Sequence, residues 1–96
     1  MKFFTYILIS EVDNSFYIGQ TSDLQARLNR HNKGGNRSTS AKRPWRILFY
    51  KEFSTRSEAF KIEQKLKRLK KREAILKWIE NEKRGVAQPG SDFAKI

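Results

Sequence analysis

Basic side chains fall on the apolar face of one helical segment, where they could bind an anion. Leu24 and Leu28 define this face, and the i, i+3, i+4, i+7 spacing of a helix adds Arg27 and His31 to it. An arginine cannot lose its charge, so a buried one must meet either a carboxylate of the protein or a bound phosphate. The spacing therefore indicates an anion site along this helix.

A second amphipathic helix carries a carboxylate at the edge of its apolar face. The apolar stripe of this helix begins at Ala59 and ends at Leu69, and Glu63 lies at its edge. From spacing alone, Glu63 is an ion-pair partner of Arg27, a metal ligand or a solvent-exposed residue. All three interpretations stay open at this point.

Two tyrosines extend the set of polar groups. Tyr6 and Tyr17 belong to strand-like segments that we expect to pair as a hairpin, so their hydroxyl groups could reach the same side of a sheet. Either tyrosine alone is typical of an ordinary sheet-face aromatic. The convergence of both with Arg27, His31 and Glu63 is what indicates a site.

Six elements must position these residues, in the order β-β-α-β-α-α, which is an α+β fold. We predict strands over residues 2–9, 16–19 and 46–53, and helices from about 24 to 33, 55 to 69 and 72 to 83. The first strand is apolar on both faces, which favours a place in the middle of the sheet. Gly19 is expected to end the second strand. We expect one domain over residues 1–83, an irregular basic loop over 33–44 and a flexible tail over 84–96.

The charge of the chain points to a polyanionic partner. Its 96 residues include 21 Lys and Arg against 10 Asp and Glu, a formal net charge of +11. Nucleic acid is the commoner explanation of such a charge, because Lys and Arg release counterions from phosphates. A basic protein without a particular partner is the plainer alternative. A membrane surface fits less well, since no segment sets a basic face against an apolar one.

Composition also excludes several classes of protein. The longest apolar run is far shorter than the ~20 residues of a membrane-spanning helix. There is no cysteine, which excludes disulfide scaffolds, thiolate metal sites and cysteine nucleophiles. Lys2 precedes an apolar stretch without a small-residue cleavage site after it, so we expect no signal peptide and a cytoplasmic location.

The ordered string from Tyr17 to Asn32 resembles the GIY-YIG nuclease superfamily. Residues 16–19 (Phe-Tyr-Ile-Gly) contain the second signature tripeptide, and residues 5–8 (Thr-Tyr-Ile-Leu) are similar to the first strand of standalone bacterial members. Residues 19–32 look like the helix motif of the family, and residues 56–63 look like the segment that carries its metal-binding glutamate. The resemblance covers about residues 2–80.

The resemblance implies a central three-stranded antiparallel sheet and phosphodiester hydrolysis with one divalent ion, Mg²⁺ or Mn²⁺. By this likeness Glu63 would hold the metal and Arg27 would stabilise the pentacovalent phosphate. Tyr6 and Tyr17 would position the attacking water, one of them helping to deprotonate it, and His31 would contact the phosphate or relay a proton. Arg27, the metal and the basic surroundings are expected to favour the phenolate form of a tyrosine.

This chain departs from the family pattern at three points. Phe4 replaces the signature glycine, and no asparagine follows Glu63 at the usual distance. Gln20 stands where some members have a lysine, so the base stays open between Tyr6 and Tyr17.

Basic residues of the loop and of the later helices are the predicted nucleic-acid contacts: Lys33, Arg37, Lys42, Arg43, Lys67, Lys70 and Lys71. Phosphate contacts position DNA without reading bases, so we expect low sequence specificity, with selectivity for structure or single strands left open. DNA is favoured over RNA, and DNA repair or recombination is the expected context. The alternatives are a non-catalytic DNA- or RNA-binding protein and a nuclease subunit that needs a protein partner. Trp45 either stacks on a base or fills the core.

Overall fold

A computed structural model describes residues 1–34 and 37–84. Its elements are β1 (Phe3–Ser10), β2 (Phe16–Thr21), α1 (Leu24–Asn32), α2 (Arg37–Ser40), β3 (Trp45–Phe53), α3 (Arg56–Leu69) and α4 (Arg72–Arg84). Apart from the short helix α2, this is the predicted order, and the α+β fold with a three-stranded sheet is confirmed. No helix in the described ranges is both long and apolar enough to cross a membrane.

The sheet is antiparallel, with strand order β2-β1-β3. The central place of β1 follows from its sequence: Tyr6, Ile7 and Leu8 are at most 1% exposed, so the strand is covered on both faces. Tyr6 pairs with Gly19 on β2 and with Tyr50 on β3. The register therefore puts Tyr6 in the middle of one face of the sheet.

The second strand is longer than predicted, and Gly19 lies inside it rather than at its end. Gly19 pairs with Tyr6, and β2 continues to Thr21. A Cβ atom at position 19 would lie 2.6 Å from the hydroxyl oxygen of Tyr6. The glycine is needed here because the Tyr6 ring lies over its backbone, not because the chain turns.

The helix starts follow their local capping signals. The Asp23 carboxylate accepts a hydrogen bond from the backbone N–H of Ala26 at 3.0 Å, which caps α1. Thr55 and Glu58 form a reciprocal capping box at the start of α3, with the Glu58 N–H donating to the Thr55 hydroxyl at 3.2 Å. These caps fix where α1 and α3 begin, and hence which faces carry Arg27 and Glu63.

The loop over residues 33–44 is less irregular than predicted, because α2 forms a helical turn within it. Thr39 of this turn is 2% exposed, and its carbonyl oxygen accepts a hydrogen bond from Nε1 of Trp45 at 2.9 Å. A contact between a loop turn and the following strand gives no periodic signal in the sequence, which explains why the turn is not predicted.

The described residues divide into two compact units, the first ending at Lys65 and the second beginning at Leu66. In the first, a core of buried Tyr6, Leu8 and Trp45 packs against Tyr17, Leu24, Leu28 and Ile47. In the second, Leu66, Ile75 and Ile79 are buried. Of the predicted tail over 84–96, only Arg84, the last residue of α4, is within the described residues.

Candidate active site

Tyr6 is the centre of the site. Its side chain is 1% exposed, and its hydroxyl oxygen lies 3.4 Å from Nε2 of His31 on α1. Arg27, one turn earlier on the same helix, directs a hydrogen bond at Tyr6, and the charges of Tyr17 and Glu63 also act on this phenol. Of the five polar residues that the sequence singled out, His31 thus contacts the Tyr6 hydroxyl, and Arg27, Tyr17 and Glu63 lie close enough to influence its ionisation.

The ionisation of Tyr6 differs from the expectation that its surroundings favour the phenolate. Burial raises the pKa of Tyr6 to about 12, and the hydrogen bond from Arg27 only partly opposes this effect. The electrostatic influence of Tyr17 and Glu63 raises the pKa of Tyr6 as burial does. Tyr6 is therefore a protonated phenol at neutral pH, and it needs a hydrogen-bond acceptor.

His31 is enclosed rather than open to a substrate. Its side chain is 1% exposed, its Nδ1 atom lies 2.9 Å from the hydroxyl oxygen of Thr39, and its ring centroid is 4.6 Å from that of Tyr17. Burial lowers the pKa of His31, and the charges of Arg27 and Arg30 lower it further. The imidazole is thus neutral at neutral pH and faces Tyr6, not solvent.

Tyr17 is the more accessible of the two tyrosines. Its side chain is half-buried, and its ring centroid lies 6.4 Å from that of Tyr6. It pairs with Leu8 on β1, so it projects on the same face of the sheet as Tyr6. Of the two phenols, Tyr17 is the one that a water molecule can approach.

Glu63 is 9% exposed, so the solvent-exposed interpretation is wrong. Its charge raises the pKa of Tyr6, whereas Arg27 lowers it, so both groups act on the same hydroxyl. The carboxylate and the guanidinium are therefore on one side of the fold, and both the ion-pair and the metal-ligand interpretations of Glu63 stay open.

The available donors suit a hard cation that keeps much of its water. Within residues 1–34 and 37–84, no group of three or more His, Cys, Asp or Glu side chains could enclose a metal. Mg²⁺ is commonly held by one or two carboxylates, with water and substrate phosphate as its other ligands. A single buried carboxylate, Glu63, fits that pattern.

The predicted nucleic-acid contacts differ in their exposure to solvent and in their partners within the protein. Lys33, Arg37 and Arg43 are exposed, and the Arg43 guanidinium lies against Gly34. Lys42 is partly buried, forms an ion pair with Asp13 at 3.3 Å and donates to the Ser15 hydroxyl at 3.0 Å. In the second unit, the exposed residues of the predicted set are Lys67, Lys70 and Lys71.

Trp45 belongs to the core. It is 4% exposed, and its indole N–H donates to the Thr39 carbonyl at 2.9 Å, so the base-stacking interpretation is wrong. The side-chain amide of Asn32 accepts from the Trp45 backbone N–H and donates to the Trp45 carbonyl, at 2.6 and 3.0 Å. These two hydrogen bonds connect the end of α1 to the start of β3.

Sequence reasoning missed Thr39, the partner of His31. A threonine in a polar, basic loop carries no periodicity, and its contact with His31 forms only when the loop folds back on α1. The spacing of eight residues between them is no signal of contact by itself.

Comparison with known proteins assigns the chain to a family. Residues 2–80 match the GIY-YIG catalytic domain. UPF0213 protein RBAM_000440 of Bacillus velezensis is 42% identical over 84 residues, covering 84% of this chain and 81% of its own length. UPF0213 protein YazA of Bacillus subtilis is 40% identical over 77 residues, covering 77% and 78%. The solution NMR structure of UPF0213 protein BH0048 from Bacillus halodurans is 27% identical, with a TM-score of 0.48, and the match covers 98% of this chain and 92% of that one.

Proposed function

The chain belongs to the GIY-YIG family, and from this we propose that it is a metal-dependent endonuclease that hydrolyses phosphodiester bonds in DNA. The observation that carries the proposal is that the buried hydroxyl of Tyr6 contacts His31 and is influenced by Arg27, Tyr17 and Glu63. Placing a carboxylate in a buried position is costly, which favours a functional reason for Glu63.

Arg27 and Tyr17 are the groups that would meet the substrate. Arg27 is half-buried, so its guanidinium could bind a phosphate while part of the residue stays desolvated. Fixed cations aimed at charge that develops in the transition state are commonly the largest catalytic contribution. Tyr17, the accessible phenol, would orient the attacking water.

Tyr6 would act as a hydrogen-bond donor rather than as the base. Its pKa of about 12 keeps the proton on the phenol at neutral pH, and its nearest acceptor is Nε2 of His31. This pair would hold the Tyr6 ring in place beneath the phosphate and could take up a proton without exposing His31 to solvent.

Glu63 would hold the divalent ion. When bound there, Mg²⁺ or Mn²⁺ would polarise the phosphate and acidify a coordinated water. The role that falls to Glu63 itself is to supply one negatively charged oxygen ligand from a buried, fixed position on α3.

The substrate proposal rests on charge. A net charge of +11 favours nucleic acid, and exposed cations such as Arg37 and Arg43 would contact phosphates, which carry no sequence information. We therefore propose that the protein cuts mainly DNA and has low sequence specificity. Whether it selects branched or single-stranded DNA is left to the experiment. A cytoplasmic role in DNA repair or recombination is part of the same proposal.

The test is a cleavage assay on labelled single-stranded, duplex and branched DNA with matched RNA, each with Mg²⁺, with Mn²⁺ and with a chelator. We expect cleavage only with metal. Arg27→Ala should lower kcat by roughly 10²–10³, the usual loss for one group that stabilises transition-state charge. Glu63→Gln should abolish the response to metal.

Matched controls are available on the same unit. Glu52→Gln removes an exposed carboxylate that pairs with Lys2, and Arg46→Ala removes an exposed cation that pairs with Glu11. Both should cut like the unmodified protein. Tight binding without cutting under any metal would replace the proposal with the binding-protein alternative, and cutting only after a cell extract is added would favour the partner-dependent subunit.

A further inference from the structure

We propose that Thr39 is a positioning residue: its hydroxyl oxygen holds buried His31 in the tautomer that leaves the Nε2 lone pair free for the Tyr6 hydroxyl. The inference deepens the proposed nuclease function and rests on it for its catalytic meaning. Its structural part depends on two contacts of the imidazole ring of His31, with Tyr6 and with Thr39.

The tautomer of His31 follows from the needs of Tyr6. Tyr6 is buried, and its hydroxyl proton requires an acceptor. Arg27 has no acceptor atom and can only donate to the phenol oxygen. Among residues 1–34 and 37–84, the acceptor that lies within hydrogen-bond distance of the Tyr6 hydroxyl is Nε2 of His31, at 3.4 Å, so Nε2 carries the lone pair and Nδ1 carries the proton.

Thr39 satisfies the proton that this assignment places on Nδ1. Its hydroxyl oxygen lies 2.9 Å from Nδ1, inside the protein. With Nδ1–H as the donor, the contacts run in one direction, from Arg27 to Tyr6, from Tyr6 to His31 and from His31 to Thr39. If Nε2 instead of Nδ1 carried the imidazole proton, Nε2 could not accept the hydrogen bond from the buried Tyr6 hydroxyl. Leaving a buried donor without its acceptor is costly.

The position of Thr39 is itself fixed. Its carbonyl oxygen accepts from the indole N–H of Trp45 at 2.9 Å, and the Asn32 amide holds the Trp45 backbone against the end of α1. Thr39 also lies on α2, inside the basic segment 33–44. The tautomer of a site residue is thus set by a turn of the loop that carries Arg37 and Arg43.

The chain has one histidine, so any imidazole signal in an NMR spectrum of the protein belongs to His31. The experiment records two-bond ¹H–¹⁵N correlations of the full, ¹⁵N-labelled protein at neutral pH. In the unmodified protein, we expect a pyrrole-like shift for Nδ1 and a pyridine-like shift for Nε2. Thr39→Val keeps the shape of the side chain but removes the acceptor, and it should raise the population that is protonated at Nε2.

Two further variants separate this effect from damage to the turn. Thr39→Ser keeps the hydroxyl and should keep the original ¹⁵N pattern. Ser40→Ala removes the neighbouring hydroxyl of α2, which bonds to the Arg37 carbonyl at 3.4 Å, and should change nothing at His31.

Cleavage of single-stranded DNA with Mg²⁺ supplies the second readout. Thr39→Val should lower kcat about tenfold or more without changing KM, because a buried donor loses its acceptor, and Thr39→Ser should restore kcat. An Nε2–H tautomer in the unmodified protein, or an unchanged pattern in Thr39→Val, would overturn the inference. If the unmodified protein cuts nothing while the tautomer still follows the Thr39 hydroxyl, the nuclease proposal fails and the positioning inference stands.

Discussion

The Tyr6 hydroxyl lies 3.4 Å from Nε2 of His31, and each of these side chains is only 1% exposed. The pair is therefore an interior contact. Half-buried Tyr17 and Arg27 are left as the groups of the site that can meet solvent.

Removing the Tyr17 hydroxyl should cost more activity than removing the Tyr6 hydroxyl. Tyr17→Phe deletes the accessible group that would orient the attacking water, and we expect kcat to fall by about 10²–10⁴, as for loss of a general acid–base group. Tyr6→Phe deletes an internal hydrogen bond, and a loss of about tenfold is expected. Single-turnover cleavage of one DNA substrate measures both, with exposed Tyr50→Phe as the control. The opposite ranking would show that Tyr6 is the group that acts on water.

Gly19→Ala should destabilise the protein through the Tyr6 ring. The new Cβ atom would lie 2.6 Å from the Tyr6 hydroxyl oxygen and 2.8 Å from Cζ, and the buried ring has little space to move. Overpacking of this kind commonly costs about 1–3 kcal/mol. Urea unfolding measures the change in the free energy of unfolding.

A double-mutant cycle identifies the cause of that loss. In a Tyr6→Leu background the aromatic ring is gone, so the penalty of Gly19→Ala should shrink. An equal penalty in both backgrounds would mean that the methyl group disturbs the backbone of β2 and not the ring of Tyr6.

Periodicity and capping signals were enough to predict the element order and to bring five polar residues together. Arg27, His31 and Glu63 stood out because each interrupts an apolar helix face, which is a local pattern. Two features depend on contacts between residues of different structural elements, which no periodic pattern reveals. Gly19 continues its strand because a ring from β1 lies over it, and Thr39 meets His31 only when the loop folds back.

The ionisation of Tyr6 was also beyond a reading of the sequence. The sequence singles out the residues around it, and Arg27, the metal and the basic surroundings are expected to lower the pKa of a tyrosine. The pKa of Tyr6 is raised instead, because the effect of burial outweighs the hydrogen bond from Arg27. The depth of a side chain is a property of the packed fold, and neighbouring residue types do not determine it.

The buried histidine should make stability depend on pH in a defined window. Burial and the charges of Arg27 and Arg30 lower the pKa of His31 in the folded state below its ordinary value of 6.5. The unfolded chain therefore binds the proton more readily, so stability rises with pH in this window. The contribution is complete above about pH 6.5 and is lost as the pH falls through the lower, folded-state pKa.

Urea unfolding at several pH values between about 5 and 7.5 tests this dependence. His31→Gln should flatten the slope in that interval, and Ser40→Ala should leave it as it is. Asp13 interferes little, because hydrogen bonds from Ser15 hold the pKa of its carboxyl at about 2. An unchanged slope in His31→Gln would assign the effect to other groups.

Binding to nucleic acid should weaken steeply with salt, and the exposed loop cations should account for part of the slope. Without metal, a labelled DNA duplex reports the affinity at several salt concentrations. Arg37→Ala should reduce the slope of log K against log salt by roughly 0.9, the value for one neutralised phosphate of B-DNA. Lys42→Ala should change it less, because Lys42 is already engaged by Asp13 and Ser15. Arg46→Ala, on β3, is the matched control for the loss of one positive charge, and a flat salt response of the unmodified protein would remove nucleic acid as its partner.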